Sequence, residues 1–500
     1  MDQTIQILLR NAVEHIRAKD LIRARELLLK AQCTDPQGSE PIRFLAVIAA
    51  MEFRFQDALE LINQAIMLNP KNAISYSNKG NILKELGRYQ ESLDALDMAI
   101  QFLPSYAEAY SNKGNVLQEL YRYEDSIEWY DKAIELNPQY AEAYSNKGNA
   151  LKLLNRYEEA LDNYHISTAI NSKNFDAYWH KALAQLRNGD FENGWKNYEA
   201  RWFKSNPVKF SFPQIPRLED EAGISEKKVL IWSEQGLGDS IQFSRYIKLL
   251  KANGADVTYL VPQALLKVFE PLKKYCTLTT AIDENSFFDF HSPLLSLPLI
   301  FSTALASVPN NVPYIVPDSE KVKSLHPFVR ASDRLKVGLI WNGGFRIGAP
   351  ELWAVNKRRN IELDQIAALK GVEGVDFYSM QKGDPAESEL IARKDLVWPE
   401  LVNCAELLND FSDTAALMES LDLIISVDTS SAHLAGALGK PVWILNRYDS
   451  CWRWLNGRVD SPWYPTAKIY QQKHPGNWDE VIVRVKADLN DLAQKKRSAI

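Results

Sequence analysis

Apolar and polar residues follow two different rhythms along this 500-residue chain. Up to about residue 206 the apolar positions recur at helical spacing in short blocks, and the whole pattern returns every 34 residues. Beyond residue 227 short apolar runs alternate with helical ones, the pattern of strands in parallel βα units. Residues 228–233 and 256–261 read as strands flanking a helix at 241–251 that Gly254 closes, and 288–298 ends this first sheet. A second sheet is predicted from 335–341, 375–381, 423–427 and 441–445. Helices at about 363–369, 413–421 and 432–438 fall between its strands, and a last helix at 478–495 packs back across the pair. Between the two rhythms, Pro213, Pro216 and the run Leu218-Glu-Asp-Glu-Ala mark a linker. The expected organisation is an α-solenoid over 1–206, a linker over 207–227, and an α/β region whose halves cover 228–320 and 321–500. Two such sheets in tandem leave a cleft between them, where ligands bind by default.

The first rhythm is specific. Ser-Asn-Lys-Gly-Asn stands at 77–81, 111–115 and 145–149, and weaker copies give units at 5–38, 39–72, 73–106, 107–140, 141–174 and about 175–206. That period belongs to tetratricopeptide (TPR) helix–turn–helix repeats. Small residues recur where two helices approach closely: Ala12, Ala46, Gly80, Gly114, Gly148 and Ala182 in the first helix, Ala24, Ala58, Ser92, Ser126, Ala160 and Gly194 in the second. Tyr76, Tyr110, Tyr144 and Tyr178 supply the bulky partner, and Pro36, Pro70, Pro104 and Pro138 end the second helices. Asn78, Asn112 and Asn146 share one repeat position. Asn81, Asn115 and Asn149 lie three residues on, hence on the same helix face. First helices line the concave surface of such a solenoid. A ladder of amides there either grips the backbone of an extended peptide, since each has donors and an acceptor, or is a solvated face kept by duplication. His180 stands where the ladder would continue, and stops it.

In the second rhythm two junctions carry chemistry. Gly236-Leu237-Gly238-Asp239 joins the strand at 228 to the following helix and delivers one carboxylate to the carboxyl end of a strand, where open α/β sheets bind ligands. Asp239 serves there as a general base or as an N-cap. The second junction is Asp428-Thr429-Ser430-Ser431-Ala-His433, between the strand at 423–427 and a small-residue helix that Gly439 stops. Free N–H groups at that helix start, with hydroxyls beside them, suit a diphosphate. His433 adds a donor or merely packs. Asp428 repels a diphosphate and fits sugar hydroxyls better, or caps the helix. Lys382, after the strand at 375, and the Lys357-Arg358-Arg359 cluster are cations able to neutralise phosphate. Arg453, between Trp452 and Trp454, either stacks or packs.

Bulk properties exclude several classes. A net charge of −6 gives no basic field for nucleic acid or acidic lipid. Four dispersed cysteines and seven scattered histidines make neither a disulfide framework nor a zinc site. No apolar run is long enough to span a bilayer, and the N-terminus lacks a positive leader; a soluble, cytoplasmic protein is expected. There is no P-loop, no third glycine of a dinucleotide fingerprint, no Asp-x-Asp and no G-x-S-x-G elbow, so no resident cofactor or metal is expected.

With these motifs the chain resembles bacterial TPR proteins fused to a GT-B glycosyltransferase related to the heptosyltransferase (glycosyltransferase 9) family, and in architecture protein O-GlcNAc transferase. Ser233-Glu-Gln-Gly-Leu-Gly-Asp239 resembles that family's Gly-x-Gly-Asp loop, and Asp239 matches its catalytic aspartate. Val427-Asp-Thr-Ser-Ser-Ala-His433 resembles its donor-site motif, with Ser430 where many relatives have glycine. Trp452-Arg-Trp454 and Asp460-Ser-Pro-Trp-Tyr-Pro465 are typical of the TPR branch. Gln381-Lys382 is similar to the element whose lysine contacts the diphosphate in O-GlcNAc transferase. The resemblance implies an inverting, metal-independent transfer from a nucleotide sugar, with Asp239 as base. Gln381, Lys382, Asp428, Thr429, Ser430, Ser431, His433 and Arg359 would lie around the donor. Because a solenoid holds chains better than small sugars, a protein hydroxyl is the expected acceptor, its chain fed in along the six asparagines; flagellin and other surface proteins are acceptors of some similar enzymes. Two departures stand beside the resemblance: the first sheet region is short, and no match to the O-GlcNAc transferase histidine base is found. A repeat scaffold with a non-catalytic GT-B module, and transfer onto a glycan or lipid, are the alternatives.

Overall fold

The computed structural model describes residues 3–344 and 353–498; Met1 and Asp2, where the reading of the N-terminus begins, lie outside them. The chain divides into two compact units, Met1–Lys181 and Ala182–Ile500. The division falls inside helix Phe175–Arg187, earlier than the sequence boundary at 206. The reason is aromatic packing. Helix Phe191–Tyr198 places Trp195 against Phe243, Trp452 and Trp463, with its indole N–H donated to the Thr303 carbonyl at 3.1 Å.

The N-terminal helices form a TPR solenoid. First helices Ser39–Met51, Ala73–Glu85, Ala107–Glu119 and Ala141–Leu153 alternate with second helices Phe55–Leu68, Tyr89–Phe102, Tyr123–Leu136 and Tyr157–Ile170. Three of those second helices stop two residues before Pro70, Pro104 and Pro138, whose rings cannot continue a helix. The repeated glycines are there because nothing larger fits. A Cβ on Gly80 would lie 2.6 Å from Leu96, one on Gly114 2.6 Å from the Tyr130 ring, and one on Gly148 2.7 Å from the Tyr164 ring. Helix pairs therefore close by backbone-to-side-chain contact, and each pair buries its apolar face only against its neighbours.

The second unit is an α/β region with two parallel sheets. The first runs β3-β2-β1-β4, with β1 Lys228–Trp232, β2 Asp256–Leu260, β3 Thr277–Thr279 and β4 Phe290–Pro293. The second runs β10-β9-β8-β5-β6-β7. Its strands are β5 Leu335–Ile340, β6 Val375–Ser379, β7 Val402–Asn403, β8 Leu423–Val427, β9 Val442–Asn446 and β10 Ala467–Gln471. A buried core of Val337, Leu339, Trp341, Ile425, Leu445 and Trp478 joins this sheet to helix Asp479–Ser498.

Three strands escape the sequence pattern: β3 and β7, which are two or three residues long, and the edge strand β10. The helix read as continuous over 241–251 is two, Leu237–Phe243 and Tyr246–Ala252, and the first begins at the glycine turn itself. The stretch read as a linker is fastened to the first sheet. His291 of β4 donates its N–H to the Pro216 carbonyl and accepts from Leu218 N–H, each at 2.8 Å, while Phe210 and Phe212 pack on Trp232 and His291.

Candidate functional site

The site is built from strand exits. β1 empties into Ser233–Gln235, and Gly236 caps helix Leu237–Phe243. Asp239, third residue of that helix, reaches back so that its Oδ2 accepts from Gly236 N–H at 3.0 Å. That is a cap made by a carboxylate, as the local sequence allows. Its other oxygen, Oδ1, is ion-paired with Arg453, from the short turn Trp452–Trp454 after β9.

The second junction meets the first. A Cβ on Gly238 would lie 2.9 Å from His433 Cδ2 and 3.3 Å from Ser430 Cα. Only glycine lets the turn come so near the start of helix Ser430–Ala437. Thr429 caps that helix, its Oγ1 accepting from Ala432 N–H at 3.4 Å. Ser430 and Ser431 then line a cavity of about 370 Å³ together with Lys382, Gln381, Asn342 and Gly343, at the carboxyl ends of β5, β6 and β8. Its further wall is Ala264, Leu408, Asn409, Asp410, Phe411 and Thr414, so one carboxylate also faces it. The volume is that of a small-molecule site, and most of the lining residues are polar, as suits a polar ligand.

The other predicted residues occupy distinct places. Lys382 Nζ, half exposed, donates to Glu387 at 3.1 Å and to the Ala405 carbonyl at 3.0 Å. Gln381 is buried and joins two strand exits: its Oε1 accepts from Trp341 and Asn342 N–H, and its Nε2 donates to the Asn342 carbonyl at 3.0 Å. It shapes the cavity floor through the backbone. Arg359 donates to the Asp428 carbonyl at 3.1 Å and to Asn356 Oδ1 at 2.7 Å, bracing the two loops. Burial alone would raise the Asp428 carboxyl, but His433, Arg447 and Arg359 around it hold it below its usual range.

His433 is 4% exposed, stacked on Trp454 at 5.1 Å, with Nδ1 3.0 Å from the Tyr464 hydroxyl. Burial pushes its pKa down to about 4, so the ring is neutral near pH 7. It is absent from the cavity wall and packs the junction from behind.

One cluster went unread in the sequence. Arg201, fully buried, donates to Glu234 at 3.1 Å, to Ser296 Oγ at 2.7 Å and to Glu199 at 2.7 Å; Glu199 also pairs with Arg217. Tyr198 and Gln235 exchange hydrogen bonds beside it, the amide donating at 3.1 Å. These contacts grip the two residues just before Gly236. The only local signal was a charged residue two positions after a buried strand.

In the first unit the asparagines are half-buried and partly engaged within the solenoid. Asn115 and Asn149 accept from the Tyr130 and Tyr164 hydroxyls at 2.8 Å, and Asn112 donates to Ser77 Oγ of the preceding repeat at 3.0 Å. Asn78 has a buried Nδ2 with no hydrogen bond. Asn81 and Asn146 are half-buried beside them. The ladder is thus in part an internal brace between helices. Among the described residues no group of three His, Cys, Asp or Glu is placed to hold a metal ion, and no helix is long and apolar enough to cross a membrane.

Comparison with known proteins matches a TPR repeat family at residues 80–120 and 122–154. Protein FlbA of Caulobacter vibrioides is 27% identical over 334 residues, 62% of this chain and 54% of that protein. The match thus covers about half the relative's length. Solved structures similar to the chain include pilF of Pseudomonas aeruginosa (20% identity, 40% of this chain and 91% of that one, TM-score 0.35). A thermophilic TPR protein of Thermus thermophilus is also similar (22% identity, 36% and 99%, TM-score 0.35).

Proposed function

We propose that the second unit is a GT-B glycosyltransferase and that it moves a sugar from a nucleotide-sugar donor to a protein hydroxyl. The observation that carries the reading is a convergence. The Gly236–Asp239 turn of one sheet touches the Ser430–His433 helix start of the other, beside a cavity lined by Lys382, Ser430 and Ser431. In this reading the helix N-terminus, Thr429, Ser430, Ser431 and Lys382 hold the diphosphate and stabilise the charge that develops on it as it leaves. Asp239 takes the proton of the acceptor hydroxyl as the oxygen attacks the anomeric carbon from the opposite side, inverting it. The repeats supply a protein-binding surface, and the asparagine amide groups not spent on the internal bonds of Asn112, Asn115 and Asn149 are its backbone-reading groups.

A thermal-shift screen over nucleoside diphosphates and nucleotide sugars tests the donor side, because a ligand that binds only the folded state raises Tm. Transfer to host-cell proteins by the wild type but not by Asp239→Asn, with folding intact, is the expected result. Full transfer by that variant removes Asp239 from the chemistry. One observation favours a second reading, a scaffold with a non-catalytic module: both Asp239 oxygens are occupied, one by the cap and one by Arg453. In that case no diphosphate raises Tm.

A further inference from the structure

Arg453, mostly buried beside Asp239, is incompletely hydrogen-bonded. Arg245, close by in the fold, uses four of its five N–H donors: it donates to the Gln242, Pro309 and Trp463 carbonyls and to the Tyr314 hydroxyl, all between 2.7 and 2.9 Å. Arg453 offers Nη2 to Asp239, Nη1 to the Cys451 sulfur at 2.9 Å, and its buried Nε makes no hydrogen bond. The guanidinium lies over the Trp452 ring at 4.3 Å, and its side chain is 12% exposed. A buried cation with one carboxylate oxygen, a weak sulfur acceptor and an orphaned N–H is under-satisfied.

Its position matters as much as its partners. Asp239 is next in sequence to Gly238, which sits against Ser430 Cα and N, at the start of the helix that borders the cavity. Trp454, next to Arg453, stacks on His433 of that same helix. Through Gly238 and Trp454 the Asp239–Arg453 pair is thus tied to the helix start that borders the cavity, and the partner of the guanidinium is the carboxylate proposed as base.

We infer that Arg453 is a counter-ion shared between Asp239 and the donor diphosphate. In the empty site it neutralises Asp239. When a diphosphate binds, the guanidinium turns to the phosphate oxygens, which match its fork of donors better than a single carboxylate oxygen does. Asp239 Oδ1 then gives up its ion-pair partner and is open to the proton of the acceptor hydroxyl. Donor binding and activation of the base are thus one event, and the acceptor is deprotonated only when a donor is present. The inference rests on the glycosyltransferase reading of the site.

Calorimetric titration of the full chain with ADP, GDP, UDP and CDP separates the two. Lys382→Ala reports on the site itself and lowers affinity for whichever diphosphate binds. Asp239→Asn keeps an oxygen for the Gly236 cap but removes the competing charge, so the same diphosphate binds about tenfold more tightly. Arg453→Gln binds it about tenfold more weakly. Simple relief of charge repulsion tightens binding with or without Arg453, so no tightening in Asp239→Asn, or the same tightening when Arg453→Gln is added to it, overturns the inference while leaving the site reading intact. If no diphosphate binds the wild type, the site reading falls and the inference with it. Should Arg453→Gln alone fail to fold, Asp239→Asn and the double variant decide.

Discussion

Replacing Gly238 by alanine tests whether the two sheets meet as described. The added methyl would stand 2.9 Å from His433 Cδ2, 3.3 Å from Ser430 Cα and 3.6 Å from Ser430 N. Two of these neighbours are backbone, and the third is a ring held by Trp454 on one face and by the Tyr464 hydroxyl at 3.0 Å. None is the loose end of a side chain, so one junction must move away from the other. Overpacking of this kind costs about 1–3 kcal/mol. Alanine regains up to about 1 kcal/mol of helix propensity, less so near a helix start. The net is a loss of about 1–2 kcal/mol, which lowers Tm by about 1.5–3 °C for a unit of this size. Differential scanning calorimetry of the full chain is the assay, because a chain with two compact units is read transition by transition. Gly114→Ala, which drives a methyl to 2.6 Å from the Tyr130 ring, is the internal control and lowers the solenoid transition instead. An unchanged or raised transition for Gly238→Ala refutes the contact and with it the convergence on which the proposed function rests.

Other outcomes follow from the same geometry. Burial lifts the Glu234 carboxyl from an ordinary 4.5 to about 7, so between those values the folded state holds more protons than the unfolded one and stability falls as pH rises. Burial lowers His433 and His291 from 6.5 to about 4, and there stability is lost as pH falls through that window. Glu234→Gln removes the first contribution only, and Tm measured from pH 4.5 to 7 then climbs more steeply than in the wild type. Tyr130→Phe removes the bond to Asn115 and lowers stability by about 1 kcal/mol in urea unfolding; no change means that the asparagine is not a brace. Lys382→Ala abolishes the thermal shift given by any nucleoside diphosphate that stabilises the wild type, and a retained shift takes Lys382 out of the site.

What the sequence disclosed was set by local physics. The 34-residue period, the glycines under Leu96, Tyr130 and Tyr164, and the prolines after the second helices are each dictated within one repeat, so they were legible. The central strands β1, β5 and β8 were legible because burial on both faces writes a continuous apolar run. The edge strand β10 and the short strands β3 and β7 write no such run. Among the site residues the glycine turn and the hydroxyl-rich helix start were visible as junction chemistry, and the structure brings them together. Their partners were not visible.

Asp239 shows why. Its cap bond to Gly236 is three residues long and follows from the motif, whereas its ion pair with Arg453 spans 214 residues and exists only after both sheets have folded. The Arg201–Glu234 pair spans 33 residues and ties the end of one helical segment to the exit of a strand. Both contacts fall on the same loop, one before Gly236 and one after it. A carboxylate held in this way is positioned by residues that local sequence does not connect to it. Its ambiguity between cap and base is therefore physical. The cap fixes where Asp239 stands, and the identity of the group facing its second oxygen decides what it can do there.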